Sequence, residues 1–340
     1  MPYSFKNDYS VLAHPRILEA LTKYSLEENI PYGLDKHSEN ASKYIKETFG
    51  SPNGSVFFVS GGTQANMLFI SYCLKHYEGV ISCDTGHINV HETAAVEGSG
   101  HKIITVPNKN GKLSKEDILN VLKQYRDFHM VKPGMVYISN STELGTIYLK
   151  EELLEIYRTC KENHLLLFID GARLGSALTS KDNDIKYNEF GSLCDAYYVG
   201  GTKNGFLYGE ALVINDEELA KEFRYHIKNK GAMLAKSYGV SIQFEEAFKD
   251  GLYFDIARST NEVANKLKEE LNNLNINISY SPTNQVFATF PKEKALKIAK
   301  EFGCEIWETY EETICIRFVT SFMSSFEDVS RLVDFIKKLN

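Results

Sequence analysis

The sequence has no hydrophobic run long enough to cross a membrane and no excess of positive charge. Apolar runs such as residues 165–169 have the length of a β-strand, whereas a membrane helix needs about 20 apolar residues. The formal net charge is −7 over 340 residues. Non-specific binding to nucleic acid needs a basic surface, so this charge argues against it. We therefore expect neither a membrane nor a nucleic acid as a partner.

Cysteine is sparse and scattered, and the first residues carry no targeting signal. None of the six cysteines belongs to a Cys-x-x-Cys pair, which suits reduced thiols in a cytoplasm better than a disulfide framework. The first ten residues lack the basic and then apolar build of a signal peptide. These features predict a soluble cytoplasmic protein.

Residues 55–214 alternate apolar runs with amphipathic stretches. The pattern predicts strands at 55–59, 79–82, 101–106, 135–139, 165–169, 196–199 and 211–214. It also predicts helices at 64–77, 115–128 and 151–163, the second of them opened by a capping box of Ser114 and Asp117. Strands buried on both faces that alternate with helices are typical of a mostly parallel α/β sheet covered on both sides.

The pattern changes after residue 214. A helical region is predicted at 217–247 and a long helix at 257–274. Short strands are predicted at 276–280, 286–290, 305–307 and 313–318, with helices at 292–302 and 326–339. This arrangement predicts an N-terminal segment over residues 1–30, a large domain over 31–247 and a smaller α+β domain over 248–340.

Polar groups follow two of the predicted strands, at the edge where parallel sheets bind ligands. Residues 60–63, Ser-Gly-Gly-Thr, lead directly into a helix, and this segment is either a phosphate cradle or a tight turn with a helix cap. Asp170 follows the strand 165–169, where it can cap a helix, form a structural ion pair or hold a protonated heterocyclic nitrogen. Arg173 offers a planar fork that suits a carboxylate or a phosphate.

Two further strand ends carry a lysine and a pair of histidines. Lys203 lies in a glycine-rich turn, where it is either an ordinary turn residue or a Schiff-base lysine. His87 and His91 are four residues apart, but no cysteine or third histidine stands at ligand spacing, so we expect no metal site. A histidine that stacks on a ring or transfers protons is the preferred interpretation, with a structural role still open for His91.

These segments, in this order, resemble the threonine aldolase / β-eliminating lyase family of fold-type I pyridoxal-phosphate (PLP) enzymes. The resemblance rests on residues 57–66 (FFVSGGTQAN), 87–92 (HINVHE), 169–173 (IDGAR) and 201–203 (GTK). Residues 32–35, 230–236 and 316–320 also match the family pattern. The resemblance implies an aspartate aminotransferase-like fold, with a mostly parallel sheet in the large domain and PLP as the cofactor.

The resemblance also implies roles for individual residues in holding the cofactor. Lys203 is the Schiff-base lysine, Asp170 pairs with the pyridine nitrogen and His87 stacks on the ring. The phosphate is held by Gly62, Thr63 and Thr202. The whole set of implied cofactor-binding residues is Gly62, Thr63, His87, Asp170, Arg173, Thr202, Lys203 and Lys236.

A small amino acid is the implied substrate. Arg173 and Arg317 hold its carboxylate, helped by a hydroxyl near the amino terminus, for which Ser10 is the candidate. The family pattern further implies a homodimer or homotetramer with active sites at the dimer interface, to which the N-terminal segment contributes. Tyr32 and Lys236 are then contributions from a neighbouring subunit, Tyr32 to the substrate site.

The sequence departs from the family pattern at two positions. Glu143 stands where well-studied members have a histidine that handles the substrate hydroxyl, and it is therefore a candidate catalytic residue. Leu234 stands where those members carry an arginine near the phosphate, and Lys236 is a candidate substitute. Both departures leave the cofactor assignment intact.

The implied reaction is retro-aldol cleavage of L-threonine, L-allo-threonine or a related β-hydroxy-α-amino acid to glycine and an aldehyde. The base that removes the β-hydroxyl proton is His87, His91, Glu92, Glu143 or an ordered water. The alternative is a PLP-dependent β-eliminating lyase, which needs the same carbanion. A more remote alternative is a non-catalytic α/β protein that binds a small anion at residues 60–63.

Overall fold

The computed structural model describes residues 4–339 and contains a seven-stranded sheet. Its strands are β1 Ser55–Val59, β2 Glu78–Cys83, β3 Ile103–Val106, β4 Lys132–Ser139, β5 Leu166–Asp170, β6 Ala196–Gly200 and β7 Glu210–Ile214. They lie in the order β1-β7-β6-β5-β4-β2-β3, and β7 runs antiparallel to its neighbours β1 and β6 while the other pairs are parallel. The predicted mostly parallel α/β sheet is confirmed.

Both faces of this sheet are buried, which explains why its strands are continuous apolar runs. Along β5, Leu167 and Ile169 pack into one hydrophobic cluster, while Phe168 packs into a second on the other face. The helices that accompany the sheet are α1 Pro15–Lys23, α2 Lys36–Phe49, α3 Gly62–Cys73, α4 His87–Val90, α5 Ala95–Gly98, α6 Lys115–Gln124, α7 Lys150–Glu162, α8 Leu174–Leu178, α9 Glu217–Ala220, α10 Phe223–Asn229 and α11 Tyr238–Phe248, with a 3₁₀ helix at Tyr187–Leu193.

A second, antiparallel sheet follows in the C-terminal part of the chain. Its strands are β8 Asn277–Ile278, β9 Gln285–Pro291, β10 Glu305–Thr309 and β11 Thr313–Val319, in the order β10-β11-β9-β8. The helices of this part are α12 Leu252–Asn273, α13 Lys292–Phe302 and α14 Phe326–Lys338. Tyr253 at the start of α12 belongs to a core cluster of the large sheet, whereas Leu267 and Leu271 belong to that of the small sheet. One helix therefore joins the two cores, and the predicted domain boundary at 247/248 stays a prediction.

Most predicted elements are present with shifted ends. The capping box of α6 forms, with Ser114 and Asp117 bonded reciprocally at 2.9 and 3.3 Å. The predicted helix over 64–77 is wrong at both ends, because α3 starts at Gly62 and stops before the extended Leu74. The predicted strand over 276–280 shrinks to two residues. Residues 1–3 and 340, at the ends of the predicted first and last segments, lie outside the described residues.

No helix within residues 4–339 combines the length and the apolar composition that crossing a bilayer requires.

Candidate active site

Four residues of the predicted site come from strand ends that meet at one edge of the large sheet. Asp170 ends β5 opposite Ser139, the last residue of β4. Lys203 follows the end of β6, Gly62 opens α3 after β1, and His87 opens α4 after β2. Because these strands are parallel, their carboxyl ends lie at the same edge. The structure therefore brings the four predicted segments together.

Asp170 is buried and accepts four hydrogen bonds. Tyr137 Oη (2.6 Å) and Asn66 Nδ2 (3.0 Å) donate to Oδ2, while Tyr198 Oη (2.5 Å) and the backbone N–H two residues on (3.0 Å) donate to Oδ1. Burial raises the pKa of Asp170, but the His87 charge and the side-chain hydrogen bonds outweigh it, so the pKa lies below its ordinary value. Asp170 is thus a buried carboxylate that stays ionised.

The start of α3 lies directly against the Asp170 network. A Cβ on Gly62 would lie 2.7 Å from Tyr198 Oη, closer than atomic contact permits, so a side chain there would displace a residue that holds Asp170. Gly61, the N-cap residue, provides no side-chain cap, and a Cβ on it would meet nothing within 4 Å. The first N–H groups of a helix have no partner within the helix, and together with the Thr63 hydroxyl they suit an anion.

His87 belongs to a hydrogen-bonded chain that reaches Asp170. Its Nδ1 lies 2.7 Å from Glu92 Oε1, and Asn66 Nδ2 donates both to that oxygen (2.7 Å) and to Asp170. The Glu92 side chain is fully buried, whereas the His87 side chain is 30% exposed. Part of the His87 side chain is therefore accessible to a ligand. His91 lies 5.4 Å from His87 between ring centroids, and burial together with the His87 charge lowers the pKa of His91.

The cluster of His87, Glu92 and Asp170 could also be considered as a site for a metal ion. Ligand atoms of His87, Glu92 and Asp170 lie within 4.8 Å of one another. However, one amide group of Asn66 donates to both carboxylates, which occupies the oxygens that would face a shared ion. The absence of a metal stays a prediction.

The turn that carries Lys203 is fastened to β7. The backbone N–H of Gly201 donates to Glu210 Oε2 (2.7 Å), and the N–H of Gly209 donates to Thr202 Oγ1 (3.0 Å). Burial raises the pKa of the Glu210 carboxyl to about 7, against the hydrogen bonds from Thr202 and Gly201. The Thr202 hydroxyl is thus hydrogen-bonded within the protein, and the phosphate-binding role that the family resemblance implies for it stays a prediction.

Lys203 has the electrostatic environment of a reactive amine. Burial and the Arg173 charge lower the pKa of Lys203, against the opposing charges of Asp8 and Asp170. A lowered pKa increases the fraction of neutral amine, which is the nucleophilic form.

Glu143 is hydrogen-bonded to residues of the site. His87 N (2.9 Å) and Ser139 Oγ (2.6 Å) both donate to Glu143 Oε1. Burial raises the pKa of Glu143, and the charge of Asp170 adds to that shift. A carboxyl with a raised pKa is a stronger base once ionised.

Arg173 is paired with a residue that the sequence did not reveal. Asp8 accepts hydrogen bonds from Arg173 Nε (2.7 Å) and Nη2 (3.0 Å), and Asn284 Nδ2 donates to the same carboxylate (3.0 Å). Burial lowers the pKa of Arg173, but Asp8 more than compensates, so the pKa of Arg173 is raised. Asp8 therefore fixes the orientation of the Arg173 guanidinium through Nε and Nη2, and Nη1 does not bond to Asp8.

Arg317 comes from the small sheet. Its Nη2 bonds to Glu305 Oε2, its Nη1 donates to Gln285 Oε1 (3.3 Å), and its guanidinium carbon lies 4.8 Å from the centroid of the Trp307 ring. Burial and the Arg173 charge lower the pKa of Arg317. The two guanidinium groups are therefore near enough for the charge of Arg173 to act on Arg317.

Three predicted residues lie on the exposed surface of this chain. The Ser10 hydroxyl donates to Asn7 Oδ1 (2.7 Å), so it is Asp8 that reaches Arg173. Tyr32 is 40% exposed, and its N–H donates to the carbonyl of Ala235 (3.0 Å), which places it beside the exposed Lys236. The roles of Ser10, Tyr32 and Lys236 stay predictions.

The residues that hold Asp170 were also missed from the sequence. Tyr137 and Tyr198 lie in apolar strand runs, where a tyrosine is indistinguishable from a core aromatic residue until the strand order is known. Asn66 offered a signal, because it is a polar residue among the buried positions of an otherwise apolar helix.

Comparisons with known proteins agree with this architecture. A family model described as beta-eliminating lyase matches residues 13–293. The low specificity L-threonine aldolase of a Pseudomonas species is 32% identical over 255 residues, which covers 74% of this chain and 73% of that protein. The solved structure of Leishmania major threonine aldolase is 40% identical, with a TM-score of 0.97 over 99% of both chains.

A more distant structure shows the fold alone. Aspartate aminotransferase of Thermotoga maritima superposes with a TM-score of 0.74 at 14% identity, over 100% of this chain and 92% of that one. The architecture is therefore that of the fold-type I enzymes, as the sequence resemblance implied. The chain belongs to the beta-eliminating lyase family and is a lyase.

Proposed function

We propose that the chain is a PLP-dependent aldolase that cleaves L-threonine, L-allo-threonine and related β-hydroxy-α-amino acids to glycine and an aldehyde. The observation that carries the proposal is the ionised, buried Asp170 at the same sheet edge as Lys203, whose pKa is lowered. The names of the Pseudomonas and Leishmania relatives support the same reaction.

The residues at this edge fit PLP. All four hydrogen bonds to Asp170 come from neutral groups, so its negative charge is left for a protonated pyridine nitrogen. Lys203 would bind the cofactor covalently through its amine, and the start of α3 at Gly62 and Thr63 would hold the phosphate. When bound, PLP supplies an electron-withdrawing ring that stabilises negative charge at the α-carbon of the substrate.

The two arginines orient the substrate. A carboxylate held at two points by guanidinium groups has a fixed orientation, and the bond that is aligned for cleavage depends on that orientation. Asp8 fixes Arg173 through Nε and Nη2, which leaves the Nη1 edge for the substrate. Arg317 reaches the same region from the small sheet.

Glu143 is the base that the geometry favours among the candidates from the sequence. Both of its donors, His87 N and Ser139 Oγ, bind Oε1. Oε2 is therefore the oxygen that can accept the β-hydroxyl proton of the substrate. His87 and Glu92 are bonded to each other, which commits His87 Nδ1 and Glu92 Oε1.

The reaction is tested by product analysis of the purified protein incubated with PLP. With L-threonine we expect stoichiometric acetaldehyde and glycine, because cleavage of the Cα–Cβ bond yields both. L-serine and L-cysteine serve as substrates for the alternative β-elimination, which releases pyruvate. Pyruvate without any acetaldehyde would replace the aldolase by a β-eliminating lyase.

The proposal includes a homodimer or homotetramer with active sites at the interface. Large apolar side chains near Tyr32 are exposed, among them Leu26 (97%), Tyr225 (80%) and Leu34 (62%), and such exposure is typical of a surface that a partner covers. Sedimentation equilibrium should give the mass of two or four chains of 38.6 kDa, and Leu26→Glu should weaken association. A wild-type protein that sediments as a single chain would contradict this prediction.

A further inference from the structure

The two arginines assigned to the substrate carboxylate are both paired with carboxylates of the protein, but the two pairs differ in burial. The Asp8 side chain is 1% exposed and also accepts a hydrogen bond from Asn284, whereas the Glu305 side chain is 40% exposed. Separating Asp8 from Arg173 would strand a buried charge, which proteins tolerate poorly. Separating Glu305 from Arg317 releases a carboxylate that can turn into water, while the Arg317 side chain is 12% exposed, as the Arg173 side chain is. The two pairs therefore differ in the acidic partner.

Arg317 has contacts other than the one with Glu305. The Trp307 ring lies 4.8 Å from its guanidinium carbon and Gln285 Oε1 accepts from Nη1, but neither group neutralises its charge. Its Nε is buried and has no hydrogen-bond partner among residues 4–339. The guanidinium is therefore a prearranged carboxylate receptor, with unused donor capacity.

Glu305 lies on an edge strand, where its side chain is free to move away from Arg317. It is the first residue of β10, which pairs on one side only, with β11, and forms the edge of the small sheet. The pairing register shifts between Ile306 and Glu308, so the ladder is irregular next to Glu305. Moving this one side chain breaks its bond to Arg317 and no backbone pairing.

We propose that Glu305 is an internal competitor of the substrate, which occupies Arg317 in the free enzyme and is displaced by the α-carboxylate of the substrate. This proposal rests on the proposed function, because it takes Arg317 to be a receptor for that carboxylate. Only a ligand with a carboxylate can replace Glu305 at Arg317, so an amine without one gains nothing from the displacement. The displacement also weakens the binding of every ligand that has a carboxylate. The apparent Kd equals the intrinsic Kd divided by the fraction of free enzyme in which Glu305 has already left Arg317.

The test compares glycine with aminoethanol, which lacks the carboxylate, in the holoenzyme. Binding is followed by the visible absorbance of the cofactor and by fluorescence of Trp307, the single tryptophan of the chain. In Glu305→Gln we expect the Kd of glycine to fall about twofold to fivefold, the range expected for release of a partly exposed ion pair. The KM for L-threonine should fall by a similar factor at unchanged kcat, while the Kd of aminoethanol stays the same.

Glu311→Gln is the matched control, because Glu311 lies exposed in the turn between β10 and β11 and the change removes the same charge. It should leave the Kd of glycine unchanged. An unchanged or raised Kd of glycine in Glu305→Gln would overturn the proposal and make Glu305 a structural support of Arg317. Arg317→Gln distinguishes a failure of the displacement proposal from a failure of the proposed reaction. If this variant binds glycine as tightly as the wild type, the displacement proposal is wrong. If it still releases acetaldehyde from threonine, the proposed reaction is unaffected.

Discussion

Replacing Lys203 by alanine should abolish both covalent attachment of the cofactor and turnover. The amine is the group with which PLP would bond, and a positioned group that transfers protons typically contributes about 10²–10⁴-fold to the rate. We expect the purified variant to lose its visible absorbance band and its acetaldehyde release from threonine. Mass spectrometry after borohydride reduction should place the cofactor on the Lys203 peptide in the wild type and nowhere in the variant.

Lys268→Ala is the matched control for this change. Burial also lowers the pKa of Lys268, to about 8. Its ammonium donates to the carbonyl of Thr283, which is not a residue assigned to the cofactor. This variant should keep its colour and its activity. A Lys203→Ala protein that stays yellow after dialysis and retains reducible cofactor would refute the assignment of Lys203.

Replacing Glu143 by glutamine should lower kcat/KM for threonine by about 10²–10³-fold, the effect of losing a general base. The amide oxygen of glutamine can still accept the bonds that Ser139 Oγ and His87 N make to Oε1. The site should therefore keep its shape and its cofactor spectrum. The loss should appear in acetaldehyde release, while the Kd of glycine, which has no β-hydroxyl, stays within about twofold.

The pH dependence gives this prediction a second readout. Burial raises the pKa of Glu143 above its ordinary value of 4.5, so its basic form is lost at a higher pH than that of an exposed glutamate. Activity of the wild type should fall with decreasing pH along an acid limb centred above 4.5, and that limb should vanish in Glu143→Gln. The sign for stability is opposite: a carboxyl with a raised folded-state pKa costs stability as pH rises above 4.5. The glutamine variant should therefore melt no lower than the wild type at neutral pH.

Glu78→Gln controls for the loss of a buried carboxylate as such. Glu78 is buried at the start of β2, at the opposite edge of the sheet, and pairs with Lys132. The Glu78→Gln variant should be less stable than the wild type and should have an unchanged kcat/KM for threonine. Full activity of Glu143→Gln would transfer the role of base to His87, His91, Glu92 or a water.

The parts of the site that the sequence predicted are those fixed by local order along the chain. Asp170 ends one buried strand and Lys203 follows another, and the carboxyl ends of parallel strands lie at one edge whatever the order of the strands in the sheet. The phosphate-binding segment at residues 60–63 was predicted from a strand, two glycines and the start of a helix, which are consecutive in the sequence. The strands themselves were visible because both of their faces are apolar.

The parts that the sequence did not predict depend on contacts between distant segments. Asp8 meets Arg173 across 165 residues, and Asn284 meets Asp8 across 276. Neither distance is constrained by periodicity, and an aspartate near an amino terminus is ordinarily solvated. Tyr137 and Tyr198 were hidden for another reason, since their hydroxyls matter only because β4, β5 and β6 are neighbours.

The bonds of Asp8 have a mechanical consequence. One carboxylate accepts from Arg173, which follows β5 of the large sheet, and from Asn284, which precedes β9 of the small sheet. Three residues earlier, Phe5 packs into the core of the small sheet. Asp8 therefore connects Arg173 to the small sheet, which also carries Arg317. A displacement of the small sheet would then move both of the arginines that we propose to hold the substrate carboxylate.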